Sequence, residues 1–340
     1  MNDELNLHNV LTLPIEIFTV SCQTDNPLIL PLKPGATPGT TIFGSFGEVL
    51  LNRHCKHNKN CLKTHSGFQC QQPQNCAARW LYKPYSDVHR RHFPRPVFIY
   101  SRELENRTPT NHFTLHITLW GRQAIKHKKQ IQQDLIALSE KGFLLNGQAQ
   151  CFKISHFSKS TAQTLANIVD QHSQQSISNA LFLFETPLRY REKIRHPNGR
   201  TESFWLAAGE PPIRELIANS AYELAAWYLE DSQQTEFNTK EQRHQYCQAT
   251  KQHVLELLKE TYPADWLLHP TSVGQRYSKT EQCEFQLDGF RGFTELKGKL
   301  EKILPWIIVL ALQGGGQNRA MGFGRIRLIL NGQSVTPPPF

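Results

Sequence analysis

Alternation of apolar and polar positions is clearest near residue 115. Phe113, Leu115, Ile117 and Leu119 fall on one side, and His112, Thr114, His116 and Thr118 on the other. A period of two belongs to a strand with one buried face. Shorter signals of the same kind predict strands over Ile15–Ser21, Val97–Tyr100, Ala180–Pro187 and Cys283–Leu296, with one or two more within Phe143–Phe157. A period of three to four sets Ile42, Phe46, Val49 and Leu50 on one side of a helix over Ile42–Leu51, capped by Thr40 and Thr41. A second amphipathic helix is predicted over Ala124–Lys141, with Gly142 as its C-cap. Ile213, Leu216, Ile217, Leu224 and Trp227 mark a third helix; Cys247, Val254, Leu257 and Leu258 mark a fourth, which Pro263 ends. The apolar run Ile303–Leu312 reads as a last helix and Phe323–Leu330 as a last strand.

Strand, helix, strand, strand, helix, strand therefore occurs twice, on either side of a Ser/Gln/Thr-rich stretch at 158–178. That order is the ferredoxin-like (RRM-like) pattern. The expected class is α+β, with two tandem ferredoxin-like domains over 1–160 and 178–332. The first carries a Cys-rich insertion at 55–96, and the second a glycine-rich loop at 314–324. A chain of 340 residues suits two domains.

Charge narrows the partner. The net charge is +9, and 39% hydrophobic content argues against wholesale disorder. Basic runs at 53–63, 89–95, 122–129, 189–200 and 319–327, several beside aromatics, suit a nucleic-acid track. The longest apolar run, Ile307–Leu312, is too short to span a bilayer, and residues 1–20 lack a signal-peptide pattern, so a cytoplasmic protein with no membrane partner is expected.

Three groups of residues carry candidate chemistry. Five glycines in eleven residues, Gly314, Gly315, Gly316, Gly322 and Gly324, surround Arg319 and precede Arg325 and Arg327. Such a loop lets backbone N–H groups and guanidinium forks meet phosphates. It is not a P-loop, since no Gly-Lys-Ser/Thr follows and the order is helix–loop–strand. Arg189, Arg191, Lys193 and Arg195 alternate on what reads as a basic hairpin around Asn198-Gly199. Cys55, Cys61, Cys70 and Cys76 lie within 22 residues, with His54, His57 and His65 nearby. Their C-x5-C-x8-C-x5-C spacing lacks tight CxxC knuckles, leaving two readings, a structural zinc or reduced, unligated thiols.

Taken in order, Gly44–Leu50 with Cys55, the segment Cys70 to Ile99, Phe113–Gly121, Arg276-Tyr277-Ser278, Gln286–Phe293 and the glycine loop resemble the CRISPR repeat-processing endoribonucleases of the RAMP superfamily. The resemblance runs over about residues 40–330. It implies metal-independent transesterification of CRISPR repeat RNA (pre-crRNA), with no cofactor needed for catalysis. A general base takes the 2′-OH proton, a general acid protonates the leaving 5′-oxygen, and a cation stabilises the phosphorane. The products are a 2′,3′-cyclic phosphate and a 5′-OH.

In similar enzymes the catalytic histidine lies at or just after the first helix, which points here to His54 or His57, with Arg53 or Lys56 on the phosphate. The same histidines also read as zinc ligands or surface residues, and His112 and His116 are alternatives. The resemblance gives Arg189, Arg191, Lys193 and Arg195 to the repeat stem, where shape and phosphate contacts dominate, and Arg319, Arg325 and Arg327 to the strand near the cut. It also implies retention of crRNA and partnership with other CRISPR effector subunits. Two further readings compete with the nuclease: a catalytically inactive RAMP subunit that binds crRNA structurally, and a zinc-dependent DNA-binding protein.

Overall fold

The computed structural model describes residues 7–30, 38–55, 77–81, 85–86, 91–92, 95–105, 108–145, 148–173, 176–195, 201–205, 209–232, 237, 239–278, 283–317, 319 and 323–335. They form two compact units. One gathers the described residues of 1–31, 38–168 and 222–250; the other gathers those of 169–221 and 251–340.

The first unit is built on β1 (Pro14–Leu28), followed by α1 (Pro38–His54), β2 (Val97–Tyr100), β3 (Thr110–Trp120), α2 (Gly121–Lys126), α3 (Lys128–Lys141) and β4 (Lys153–Phe157). The sheet order is β2-β3-β1-β4, with antiparallel neighbours throughout. The alternation at 113–120 decides which face is inside: Phe113, Leu115, Ile117 and Leu119 are all buried. They join Phe18 and Val20 of β1, Ile42, Phe46 and Leu50 of α1, and Ile131, Leu135 and Leu138 of α3 in one core.

Two helices differ from expectation at their ends. α1 begins at Pro38 instead of Ile42, because proline is tolerated in a first turn whose N–H groups have no helical partner. The helix expected over Ala124–Lys141 starts at Gly121 and is interrupted at His127 (φ −89°, ψ 7°). Gly142, at φ 75°, ends α3 as predicted, its N–H bonded to the Leu138 carbonyl.

Gly44 lies in α1 with open space where a Cβ would go. Gly44→Ala is expected to raise the urea midpoint by a stability gain of about 0.5–1 kcal/mol, since it removes unfolded-state freedom without a clash.

The second unit begins with β5 (Asn179–Leu188) and a two-stranded hairpin, β6 (Arg191–Arg195) with β7 (Thr201–Trp205). Helices α4 (Ile213–Asp231) and α5 (Lys240–Leu257) follow, then β8 (Thr261–Ser278), β9 (Cys283–Gly298), α6 (Leu304–Gln313) and β10 (Ile326–Leu330). The sheet order is β8-β9-β5-β10, again antiparallel. Phe182, Phe184, Phe290, Ile307, Leu310, Ile326 and Leu328 are buried here.

Strand β8 was not predicted, and Pro263, read as a helix stop, lies inside it. β8 is an edge strand, where proline loses no ladder bond, and from Tyr262 to Thr271 its residues are exposed or half-buried, so no apolar alternation is written in them. The helix before it ends instead in a 3-10 turn at Leu258–Glu260.

Residues 222–250 fall with the first unit although they stand between strands of the second sheet. Trp227 packs on Trp120 at 4.8 Å between ring centroids, and the Asp231 carboxylate accepts the Gln123 N–H at 3.0 Å, capping α2. Among the described residues no helix is long and apolar enough to cross a membrane.

Cys22 and Cys247 are buried and Cys151 is exposed. Burial, and then the Glu103 charge, push the Cys22 thiol from 9.0 up to about 12. Because the folded value lies above the unfolded one, the stabilisation from a neutral Cys22 is complete below pH 9 and is lost as the pH climbs toward 12. Chemical denaturation at pH 8 and pH 11 checks this: Cys22→Ala should shrink the alkaline loss, and an unchanged loss would contradict it. In the native protein at pH 8, Cys151 should alkylate while Cys22 and Cys247 stay protected.

Candidate functional site

One constellation sits at the C-terminal end of α1. Arg53 and His54 lie four residues after Val49 and Leu50, so they continue the helix face that packs toward α3. Opposite them stands Asp134, fully buried between Ile131 and Leu135 on the apolar face of α3. A carboxylate in that position needs charged or donating partners. His54 Nε2 lies 2.8 Å from Asp134 Oδ1 and 2.9 Å from Oδ2, and Arg53 Nε lies 2.9 Å from Oδ1. The His54 side chain is 20% exposed and that of Arg53 44%, so both still reach solvent from a buried anchor. Cys55 follows, half-buried.

Lys56, His57, Cys61, Cys70 and Cys76 lie outside the described residues, as does Gly322. Among the described residues no three His, Cys, Asp or Glu side chains gather in a metal-binding group. The two alternative histidines differ from each other. His112 is exposed on β3, whereas His116 is buried with its ring 6.2 Å from that of Tyr100.

The second constellation is the glycine loop. Gly314 (φ 76°) closes α6 through its N–H to the Leu310 carbonyl. The Gly315 N–H then bonds the Gly324 carbonyl at 2.7 Å, the Gly324 N–H bonds Pro187 O at 2.9 Å, and the Gln317 N–H bonds Arg189 O at 2.8 Å. The loop is thus stitched to the end of β5. Glycine is required by close approach as well as by dihedral angle: a Cβ on Gly324 (φ +69°) would lie 1.8 Å from Gly315 O, and one on Gly316 2.3 Å from Arg189 O.

The arginines around this loop take different positions. Arg189 is 4% exposed; its Nε donates to the Asp288 carbonyl at 3.1 Å and its guanidinium stands 5.8 Å from the Phe323 ring centre. Burial lowers the Arg189 value from its ordinary one, while the Asp288 charge works the other way. It supports the loop from beneath instead of facing solvent. Arg319 is half-exposed, with Nη1 at 3.4 Å from Gly314 O. Arg327 donates to Glu185 through Nε at 2.7 Å, and Arg325 Nε lies 3.5 Å from the same carboxylate. Arg191 is exposed at the start of the basic hairpin, and Lys193 and Arg195 follow on the same strand.

Asp134, Glu185 and Asp288 were not singled out from the sequence. Asp134 alone left a signal, a carboxylate inserted into the apolar stripe Ile131, Leu135, Leu138.

A family model described as the AF_1859_N N-terminal domain matches residues 13–181, just under half of the chain. No curated protein matches. A Cas6 product complex from Thermus thermophilus is 16% identical with a TM-score of 0.50, and the match covers 94% of this chain and 99% of that one. The Cas6-bearing chain of a partial Cas6-RT-Cas1–Cas2 complex is 12% identical with a TM-score of 0.53. There the match covers 94% of this chain but 46% of the other, so this chain spans just under half the length of that one. The protein is mixed α/β with antiparallel sheets and shares the fold of these Cas6 structures.

Proposed function

We propose that this protein binds CRISPR repeat RNA and cleaves it without a metal in the reaction, by attack of a 2′-OH on the adjacent phosphate. The sheet orders β2-β3-β1-β4 and β8-β9-β5-β10 support reading both halves as ferredoxin-like domains. The observation that carries the function is His54: a partly exposed imidazole held by a buried carboxylate at the end of the first helix, in a +9 chain of Cas6 fold. Histidine suits proton transfer because its unperturbed value lies near neutrality. His57 and Lys56 supply the second proton-transfer group and the phosphate cation in this reading, and Arg53 adds positive charge beside them.

Phosphate contacts fall to the loop N–H groups of Gly316 and Gly322, to Arg319, Arg325 and Arg327, and to Arg191, Lys193 and Arg195 on the hairpin. Gly314, Gly315 and Gly324, expected from the sequence to join them, spend their N–H groups on the carbonyls of Leu310, Gly324 and Pro187 and shape the loop instead. Arg189, buried, holds the loop in shape. The Cas6 neighbours, one a product complex and one an assembly with Cas1 and Cas2, support repeat RNA and other CRISPR proteins as partners. A zinc at Cys55, Cys61, Cys70 and Cys76 would be structural, and metal analysis of the wild-type protein beside Cys70→Ser tests it.

A second reading has one observation behind it. Both Arg53 and His54 are committed to Asp134, as they would be if the trio only tied α1 to α3. The protein would then be an inactive RAMP subunit that holds crRNA. Cleavage of a labelled repeat RNA by wild-type protein, at concentrations that saturate binding, separates the two.

Glu185 offsets part of the charge of Arg325 and Arg327. Glu185→Gln should therefore tighten RNA binding by about 3–10-fold at low salt and steepen its salt dependence. Unchanged affinity and slope in a filter-binding titration would take these two arginines out of the interface.

A further inference from the structure

The geometry points to Asp134 as a positioning residue that sets the tautomer of His54, an inference resting on the nuclease reading above. Both carboxylate oxygens face one ring nitrogen, Nε2, at 2.8 and 2.9 Å. Ionised Asp134 offers acceptors only, so the proton sits on Nε2 and the lone pair on Nδ1. Arg53 Nε, 2.9 Å from Oδ1, fixes the carboxylate from a second side and supplies the positive charge that a fully buried Asp needs. The imidazole is thus aimed and given one proton-accepting nitrogen before RNA arrives.

In the reaction, Nδ1 takes the 2′-OH proton, O2′ bonds to phosphorus as the P–O5′ bond breaks, and O5′ leaves with a proton from the second group, His57 or Lys56. The ring becomes an imidazolium beside an Asp134 that remains ionised. That is the orienting role a buried carboxylate plays toward a general base elsewhere. A trio that merely ties two helices makes the same Nε2–H bond but gives Nδ1 no task, so the cleavage rate is the readout that separates the two roles.

Asp134→Asn keeps the shape and reverses one polarity. Its oxygen, retained at Oδ1 by the Arg53 N–H, no longer carries the charge that favours Nε2–H, and its amide NH2, in the place of Oδ2, donates to Nε2. That arrangement drives the proton to Nδ1 and removes the lone pair. The expected result is a single-turnover cleavage rate about 10²–10⁴-fold below wild type, with RNA affinity within about 3-fold. Nitrogen-15 NMR of the histidines, with His54 assigned through His54→Ala, should show Nε2–H in the wild type and Nδ1–H in the Asn variant.

Wild-type cleavage by Asp134→Asn, beside a dead His54→Ala, would overturn the positioning role and leave the nuclease reading standing. An Nδ1–H tautomer in the wild-type protein would overturn it too, whether or not the variant folds. If His54→Ala itself cleaves normally, what fails is the assignment of His54.

Discussion

Alanine at position 54 is expected to lower the rate of repeat-RNA cleavage about 10²–10⁴-fold, the range contributed by a positioned proton-transfer group. RNA affinity should stay within a few-fold, because the ring is partly buried against α3 and the phosphate-binding charges are elsewhere. Loss of rate and affinity together would instead indicate that the His54–Asp134 contact holds α1 in place. The two roles also separate on heating. A tie between helices would lower the melting temperature on His54→Ala, whereas the nuclease reading predicts a small shift, since Arg53 still pairs with the buried carboxylate.

The second large effect concerns Gly324. Its φ of +69° is disfavoured for any L side chain, and a Cβ there would stand 1.8 Å from the carbonyl oxygen of Gly315, the residue whose N–H bonds the Gly324 carbonyl to close the loop. Gly324→Ala must open the Gly315–Gly324 bridge or move β10, at a cost of about 2–4 kcal/mol from strain and lost hydrogen bonds. RNA affinity should fall with it, since Arg325 and Arg327 follow directly on the displaced strand. Gly332→Ala is the control: φ is also positive, +82°, but nothing lies near the added methyl. It should cost about 1 kcal/mol and leave binding intact. Equal effects at the two positions would show that the loop's close approach does not matter for RNA.

The features that proved legible were those written in one segment of chain. The buried face of β3, the helix of Ile303–Leu312, the hairpin that includes Arg191–Arg195 and the stop at Gly142 are each decided by neighbours within a few residues. What escaped was decided by partners far away. β8 is a strand because β9 pairs with it, and its two prolines and exposed residues concealed that. Arg189 looked like another surface charge until Asp288 and Phe323, about 100 and 134 positions later, enclosed it. Arg325 and Arg327 share Glu185 across a strand pairing that no local pattern announces. Around His54 the sequence supplied the imidazole but not its partner, because Asp134 is 80 residues away on another helix. The helical segment 222–250 joins the first unit through Trp227 and Asp231, contacts equally invisible to periodicity.

The most direct test of the central claim is the chemistry of the cut ends. Wild-type protein is incubated with a 5′-labelled repeat RNA in excess EDTA, and the products are treated with acid, phosphatase or polynucleotide kinase and resolved on a sequencing gel. The proposed reaction predicts one main cut, insensitive to EDTA, with a 2′,3′-cyclic phosphate upstream and a 5′-OH that the kinase can label downstream. Replacing the ribose 2′ of the nucleotide before the cut with deoxyribose should abolish it. Cleavage that needs a divalent cation, or ends carrying a 5′-phosphate and a 3′-OH, would contradict the account.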